Sequence, residues 1–162
     1  MAYSITTQYA GATPIANTDA TQRMPVGTLV RAFDPLYGEG EFIYLLGVAN
    51  TTVGSVVTYS GIGATALAAI GTNLPQPIAI AMSANVATQY GWYQISGNAL
   101  AQKAYAGSLT AGVAVGVSTI GFVAASSTGT EIEGALVVAN ASASTSMVEV
   151  IINRPCMQGR IT

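Results

Sequence analysis

Histidine is absent from this 162-residue chain, and cysteine occurs once, as Cys156. The first absence removes every His-dependent triad, most catalytic zinc sites and the usual general base. The second removes internal disulfides and fits assembly in a reducing compartment. With no histidine to activate it, Cys156 reads as a small buried residue rather than a reactive thiol. Charge is scarce too: Asp, Glu, Lys and Arg make up 7% of the residues, where a globular chain averages about 25%. The five basic residues, Arg23, Arg31, Lys103, Arg154 and Arg160, are scattered. A nucleic-acid partner needs a concentrated basic footprint, so none is expected. No uncharged apolar run reaches the roughly 18 residues of a membrane helix, because Pro75, Gln76 and Pro77 interrupt the most apolar region. The first residues, Met1 to Gln8, carry neither a basic region nor a continuous apolar core of the secretory kind. The expectation is a soluble chain with no membrane partner.

Against these absences, 51% of the residues are hydrophobic. A chain of this length buries roughly 70% of the surface it exposes when unfolded, enough for a core without staples. Its surface must be carried by Ser, Thr, Asn, Gln, Gly and Ala. Such a surface suits close packing against another subunit and depends little on salt.

The most informative stretch is Tyr90-Gly91-Trp92-Tyr93-Gln94-Ile95-Ser96-Gly97, which holds the single tryptophan. Aromatic and β-branched residues favour a pleated surface, so Trp92 to Ser96 reads as a strand bounded by Gly91 and Gly97. Alternation places Tyr93 and Ile95 on one face and Trp92, Gln94 and Ser96 on the other. Both faces carry groups that need cover. The protein's own core would cover one, and a second sheet or a neighbouring subunit the other.

Residues 1–25 differ from the rest. Tyr3, Ile5 and Tyr9 alternate loosely with polar residues, and Pro14 and Pro25 flank a polar run. This predicts an extended arm lying on a neighbour or on the body. From Val26 onward, short strands recur: 26–33, 41–46, 55–59, 78–82, 92–96, 98–106, 113–117, 122–124, 134–139 and 147–152. Gly, Pro, Ser, Thr and Asn punctuate them, with a long hairpin loop over 34–40 and a further loop over 73–77. The segment 61–71 is ambiguous between helix and strand. The fold class expected is all-β: an antiparallel β-sandwich, jelly-roll-like or a small barrel, with residues 1–25 as the arm and 26–162 as one β domain.

Few residues can carry chemistry. Glu39 and Glu41 lie two apart, as do Glu131 and Glu133. In a strand each pair shares a face, and paired carboxylates are what a glycosidase needs. Charges that keep a Gly-bounded turn solvated have the same pattern. Asp34 with Glu39 and Glu41 could offer oxygen ligands to a divalent cation, but the spacing of a Ca²⁺-binding loop is absent. No phosphate-cradling Gly-Lys-Ser/Thr occurs. The expectation is a protein without catalytic residues or cofactors.

Three strings carry a resemblance: Val26 to Asp34, Gly40 to Ala49, and Ala81 to Gly97 with its Tyr-Gly-Trp-x-Gln-Ile-Ser-Gly core. Over Val26 to Gly129, and more weakly up to Arg154-Pro155, the chain resembles the head-decoration, or cement, proteins of tailed bacteriophages. The resemblance implies a β-rich domain on the outer surface of the virion head, assembled in the bacterial host cytoplasm. There it would clamp neighbouring copies of the major capsid protein. It also implies self-association, as a dimer or trimer; a homotrimer is the expectation here, with a homodimer the alternative. Aromatic residues dominate interface energetics. Tyr3, Ile5, Tyr9, Trp92 and Tyr93 are therefore the expected interface residues. A carbohydrate-binding or adhesin module is the alternative, with Trp92 and Tyr93 stacking on sugar rings.

Overall fold

A computed structural model describes residues 1–7, 9–70, 75–104 and 107–158. Among the described residues twelve strands form one sheet and there is no helix, hence none long and apolar enough to cross a membrane. The strands are β1 (Ser4–Ile5), β2 (Thr18–Asp19), β3 (Leu29–Asp34), β4 (Gly38–Leu46), β5 (Val56–Tyr59) and β6 (Thr65–Leu67). They continue as β7 (Ile78–Ala81), β8 (Tyr90–Gln102), β9 (Ala114–Thr119), β10 (Phe122–Ala125), β11 (Glu131–Val137) and β12 (Met147–Met157). The all-β expectation holds, with an antiparallel, sandwich-like arrangement.

The main ladder runs β1-β3-β4-β8-β12-β11-β9-β10, and β2, β5, β6 and β7 branch from it around β8. The first half of β8 pairs with β4, from Leu46↔Tyr90 to Glu41↔Ser96, and with β7 through Ile80↔Gln94 and Ala81↔Tyr93. Its second half pairs with β12, from Asn153↔Ser96 to Met147↔Gln102. The sequence predicts a strand that stops at Gly97 and a separate one over 98–106. Instead a single 13-residue strand runs through both glycines, Gly91 and Gly97. Gly97 makes this possible: it adopts φ +97°, and a Cβ there would lie 2.5 Å from the Glu39 carbonyl oxygen. Only glycine permits both the backbone conformation and the approach. Residues 105 and 106, the end of the predicted 98–106 strand, lie outside the described residues, as do residues 73 and 74 of the predicted 73–77 loop.

Two other expectations are refined. The β3–β4 hairpin is tight rather than long, with Asp34 opposite Gly38. The Asp34 side chain accepts the N–H groups of Leu36 and Tyr37, a local turn that replaces the looser loop. The ambiguous 61–71 stretch supplies β6, which pairs with β5 from Tyr59↔Thr65 to Val57↔Leu67; residue 71 lies outside the described residues. The turn before β6 then returns to β4, where Leu46 N–H donates to the Gly63 carbonyl at 3.0 Å.

Three apolar clusters result. Ile43, Leu45, Val57, Ala79, Ala81, Tyr93 and Ile95 fill the space enclosed by β4, β8, β7, β5 and β6. Tyr3, Ile15, Met24, Val30, Ala32, Phe42, Tyr44, Met82 and Trp92 form a second cluster beneath residues 1–25. The third is aliphatic, built on Val115, Val117, Ile132, Val148, Val150, Ile152 and their neighbours from β5 and β7 to β12.

Candidate interaction surface

Four of the five residues singled out above face inward or are partly covered. Trp92 and Tyr93 are wholly buried on opposite faces of β8, as their alternation requires. Trp92 Nε1–H donates to the Thr13 carbonyl at 3.0 Å, and its ring meets Tyr44 edge-on at 5.1 Å. Tyr93 OH accepts from Asn85 Nδ2 at 3.0 Å, and burial pushes its hydroxyl pKa up. The interface role expected of these two rings is therefore corrected. Neither ring has a free face for a partner or for a sugar, because the protein's own chain covers both sides of β8.

Tyr3 is also buried. Its hydroxyl donates to the Asn98 carbonyl at 2.8 Å and accepts from Gln94 Nε2 at 3.4 Å, and its ring meets Phe42 at 4.8 Å. Burial, chiefly, pushes its pKa up to about 12. Ile5 is half-buried in β1, opposite Ala32. Tyr9 alone is open, with 49% of its surface exposed.

The arm thus lies on its own body. Its backbone is fastened by β1 on β3 and by β2 on β8. Two buried carboxylates fasten its side. Asp19, in the arm, accepts from Tyr44 OH at 2.8 Å and from Thr13 Oγ1 at 3.0 Å. Asp34 accepts the Ala2 N–H in addition to those of Leu36 and Tyr37. Burial alone would push the Asp34 carboxyl up. The three backbone donors outweigh it and hold the group below the usual aspartate range.

The carboxylate pairs are separated in role. Glu41 accepts from Arg31 at 3.2 Å and from Arg154 at 3.0 Å, tying β4 to β3 and β12, while Glu39 stands 4.0 Å from Arg31. With both Glu41 oxygens on guanidinium groups and Asp34 filled by backbone N–H, Asp34, Glu39 and Glu41 do not converge on a cation site. Among the described residues no group of three His, Cys, Asp or Glu side chains could hold a metal. Glu131 and Glu133 do share the outer face of β11, on either side of buried Ile132. Neither lines the cavities of about 280, 320 and 470 Å³. Glu133 instead takes the Cys156 S–H at 3.8 Å. Burial and then the Glu133 charge push that thiol up, which keeps it protonated.

A surface that sequence reasoning missed lies on β11 and β12. Leu136 and Ile151 are cross-strand partners at 47% and 48% exposure. Val138 is exposed beside them, and Asn98 of β8 is the next partner along the row. On β12, Glu149 lies two residues before Ile151, opposite Leu100, and exposed Arg154 lies three after it. The signal was present. The unbroken apolar runs 135–139 and 150–152 cannot place every side chain inside a strand whose faces alternate.

Compared with known protein families, curated proteins and solved structures, the chain matches none.

Proposed function

We propose that this chain is a non-enzymatic structural protein that decorates the outer surface of a bacteriophage head. It associates with itself, a trimer in preference to a dimer, and clamps neighbouring major capsid protein subunits. The observation that best supports the reading is the exposed apolar cross-strand pair Leu136 and Ile151 on the outer face of β11 and β12. A surface so poor in charge makes contacts that salt does not strip. On a lattice, each contact can be modest, because high local concentration multiplies weak binding. The Tyr90-to-Gly97 resemblance gives the reading its direction, although those side chains serve the interior. The arm, bound to its own body, contributes rigidity rather than reach, and Tyr9 is its one open aromatic.

Co-sedimentation with expanded phage heads tests the reading. Purified protein should self-associate and travel with the heads, and Leu136→Asp should weaken both behaviours while leaving the fold intact. A protein that stays monomeric and remains in the supernatant at every concentration overturns it.

A further inference from the structure

One basic residue is enclosed. Lys103 follows β8 directly and keeps its alternation, so its side chain points inward like those of Ala99 and Ala101. Only 1% of its surface is exposed. Its backbone is held by the Ser146 carbonyl at 2.8 Å and by a bridge to Val123, so the side chain is fixed at its root. Its ammonium donates to the Ala104 carbonyl at 3.1 Å, the one acceptor among the described residues for three N–H groups. All seven Asp and Glu side chains lie among the described residues. Among the described residues the ion pairs they make go to Arg23, Arg31 and Arg154, and none reaches Lys103. A buried ammonium without a counter-charge is costly to maintain.

Beside it lies a cavity of about 320 Å³, lined by Lys103, Ala104, Ser108, Leu109, Ser118 and Ala124 among others. Among its described lining residues, the other polar side chains are the hydroxyls of Ser108 and Ser118. Lys103 and Ala104, whose carbonyl accepts from the ammonium, both line this cavity, and Lys103 also lines the neighbouring one of about 280 Å³. Hydroxyls can donate to an anion, and among the described lining residues no Asp or Glu side chain stands to repel one.

We propose that this cavity is a binding site for a single carboxylate, held by the Lys103 ammonium and the serine hydroxyls. The cavity suits a small acid, or an aspartate-like side chain offered by another molecule. The inference does not depend on the shell reading.

The test is a titration of the isotope-labelled full chain, followed by amide chemical shifts at constant ionic strength. Acetate is the probe, acetamide its neutral counterpart, and a blocked aspartate (N-acetyl, N-methylamide) the acid carried on a chain. Acetate should give saturable shifts at Ala104, Ser118 and Ala124 that acetamide does not. Lys103→Met should weaken acetate binding by about tenfold or more, since hydrogen bonds to charged groups are worth that much. Competition by the blocked aspartate would assign the site to a chain-borne acid, and its failure to compete to a free small acid. Equal responses to acetate and acetamide, or acetate shifts that persist in Lys103→Met, overturn the proposal. Should Lys103→Met not fold, the contrast between acetate and acetamide in the unaltered chain decides.

Discussion

The cluster beneath the arm and the cluster between β9 and β12 are built from different materials. The first contains Tyr3, Phe42, Tyr44 and Trp92, and every one of its phenol or indole polar atoms has a hydrogen-bond partner. The second has no aromatic residue and consists of Val, Ile, Leu and Ala with Met157. Aliphatic β-branched side chains fill a pleated interior without needing polar partners. Aromatic rings with polar handles bring direction as well as area. The difference teaches that the first cluster positions a segment, residues 1–25, whereas the second only has to exclude water.

The sharpest way to break this comparison is Trp92→Ala. Truncating a wholly buried tryptophan costs about 3–5 kcal/mol. It also removes the Nε1–H bond to Thr13 and the surface on which Ile15 and Met24 rest. Urea denaturation should show the loss, and limited proteolysis should show cleavage within residues 1–25 under native conditions. Ile152→Ala, in the aliphatic cluster, should cost about 2–5 kcal/mol but leave the arm protected. Equal exposure of the arm in both variants would erase the distinction drawn here.

Titration sharpens the comparison next. Asp34 is held below its ordinary range, so its stabilising contribution is present at neutral pH. That contribution is lost as pH falls through the ordinary aspartate range toward the lowered folded value. At the other end, the hydroxyls of Tyr3 and Tyr44 are pushed up to about 12, in both cases first by burial. Stability is unaffected below the ordinary tyrosine value of 10.0, and is lost between there and about 12, where the unfolded chain ionises and the folded one resists. The acid limb acts on the arm-bearing cluster, while the alkaline limb acts there through Tyr3 and Tyr44 and on the cluster of β4, β8 and β7 through buried Tyr93, whose hydroxyl is also pushed up. Acid unfolding, followed by Trp92 fluorescence, should therefore begin at the arm-bearing cluster. In Asp34→Asn the acid limb should flatten.

The smallest expected effect concerns backbone strain. Thr88 is an exposed β-branched residue at φ +67°, in the turn before β8. Such a conformation costs on the order of 1 kcal/mol or more, partly offset by the chain entropy of glycine. Thr88→Gly should raise stability by about 0.5–1 kcal/mol, measurable as a shift of the urea midpoint at constant slope.

Much of the sheet was legible because its strands alternate or carry β-branched runs. Leu29 to Asp34 alternates outward and inward without exception, and alternation along β8 gives the correct faces to Trp92, Tyr93 and Ile95. What escaped was non-local. β1 and β2 are two residues each, too short for any periodicity, and their strand character comes from partners on β3 and β8. Gly97 signals a strand end in isolation but a bend within β8 once Glu39 lies against it. The aromatic residues were read as interface anchors on chemical grounds. Distant groups such as Thr13 and Asn98 draw them inside. The exposed Leu136 and Ile151 went unnoticed because an apolar run hides which of its members face out.

One last consequence follows from the way β8 serves two neighbourhoods at once. Its leading half is bonded between β4 and β7, and its trailing half lies along β12. Neither neighbourhood can open fully without releasing part of the same backbone. The amide protons of Tyr90 to Gln102 therefore exchange with solvent only when the whole molecule opens, and their rates report its global stability.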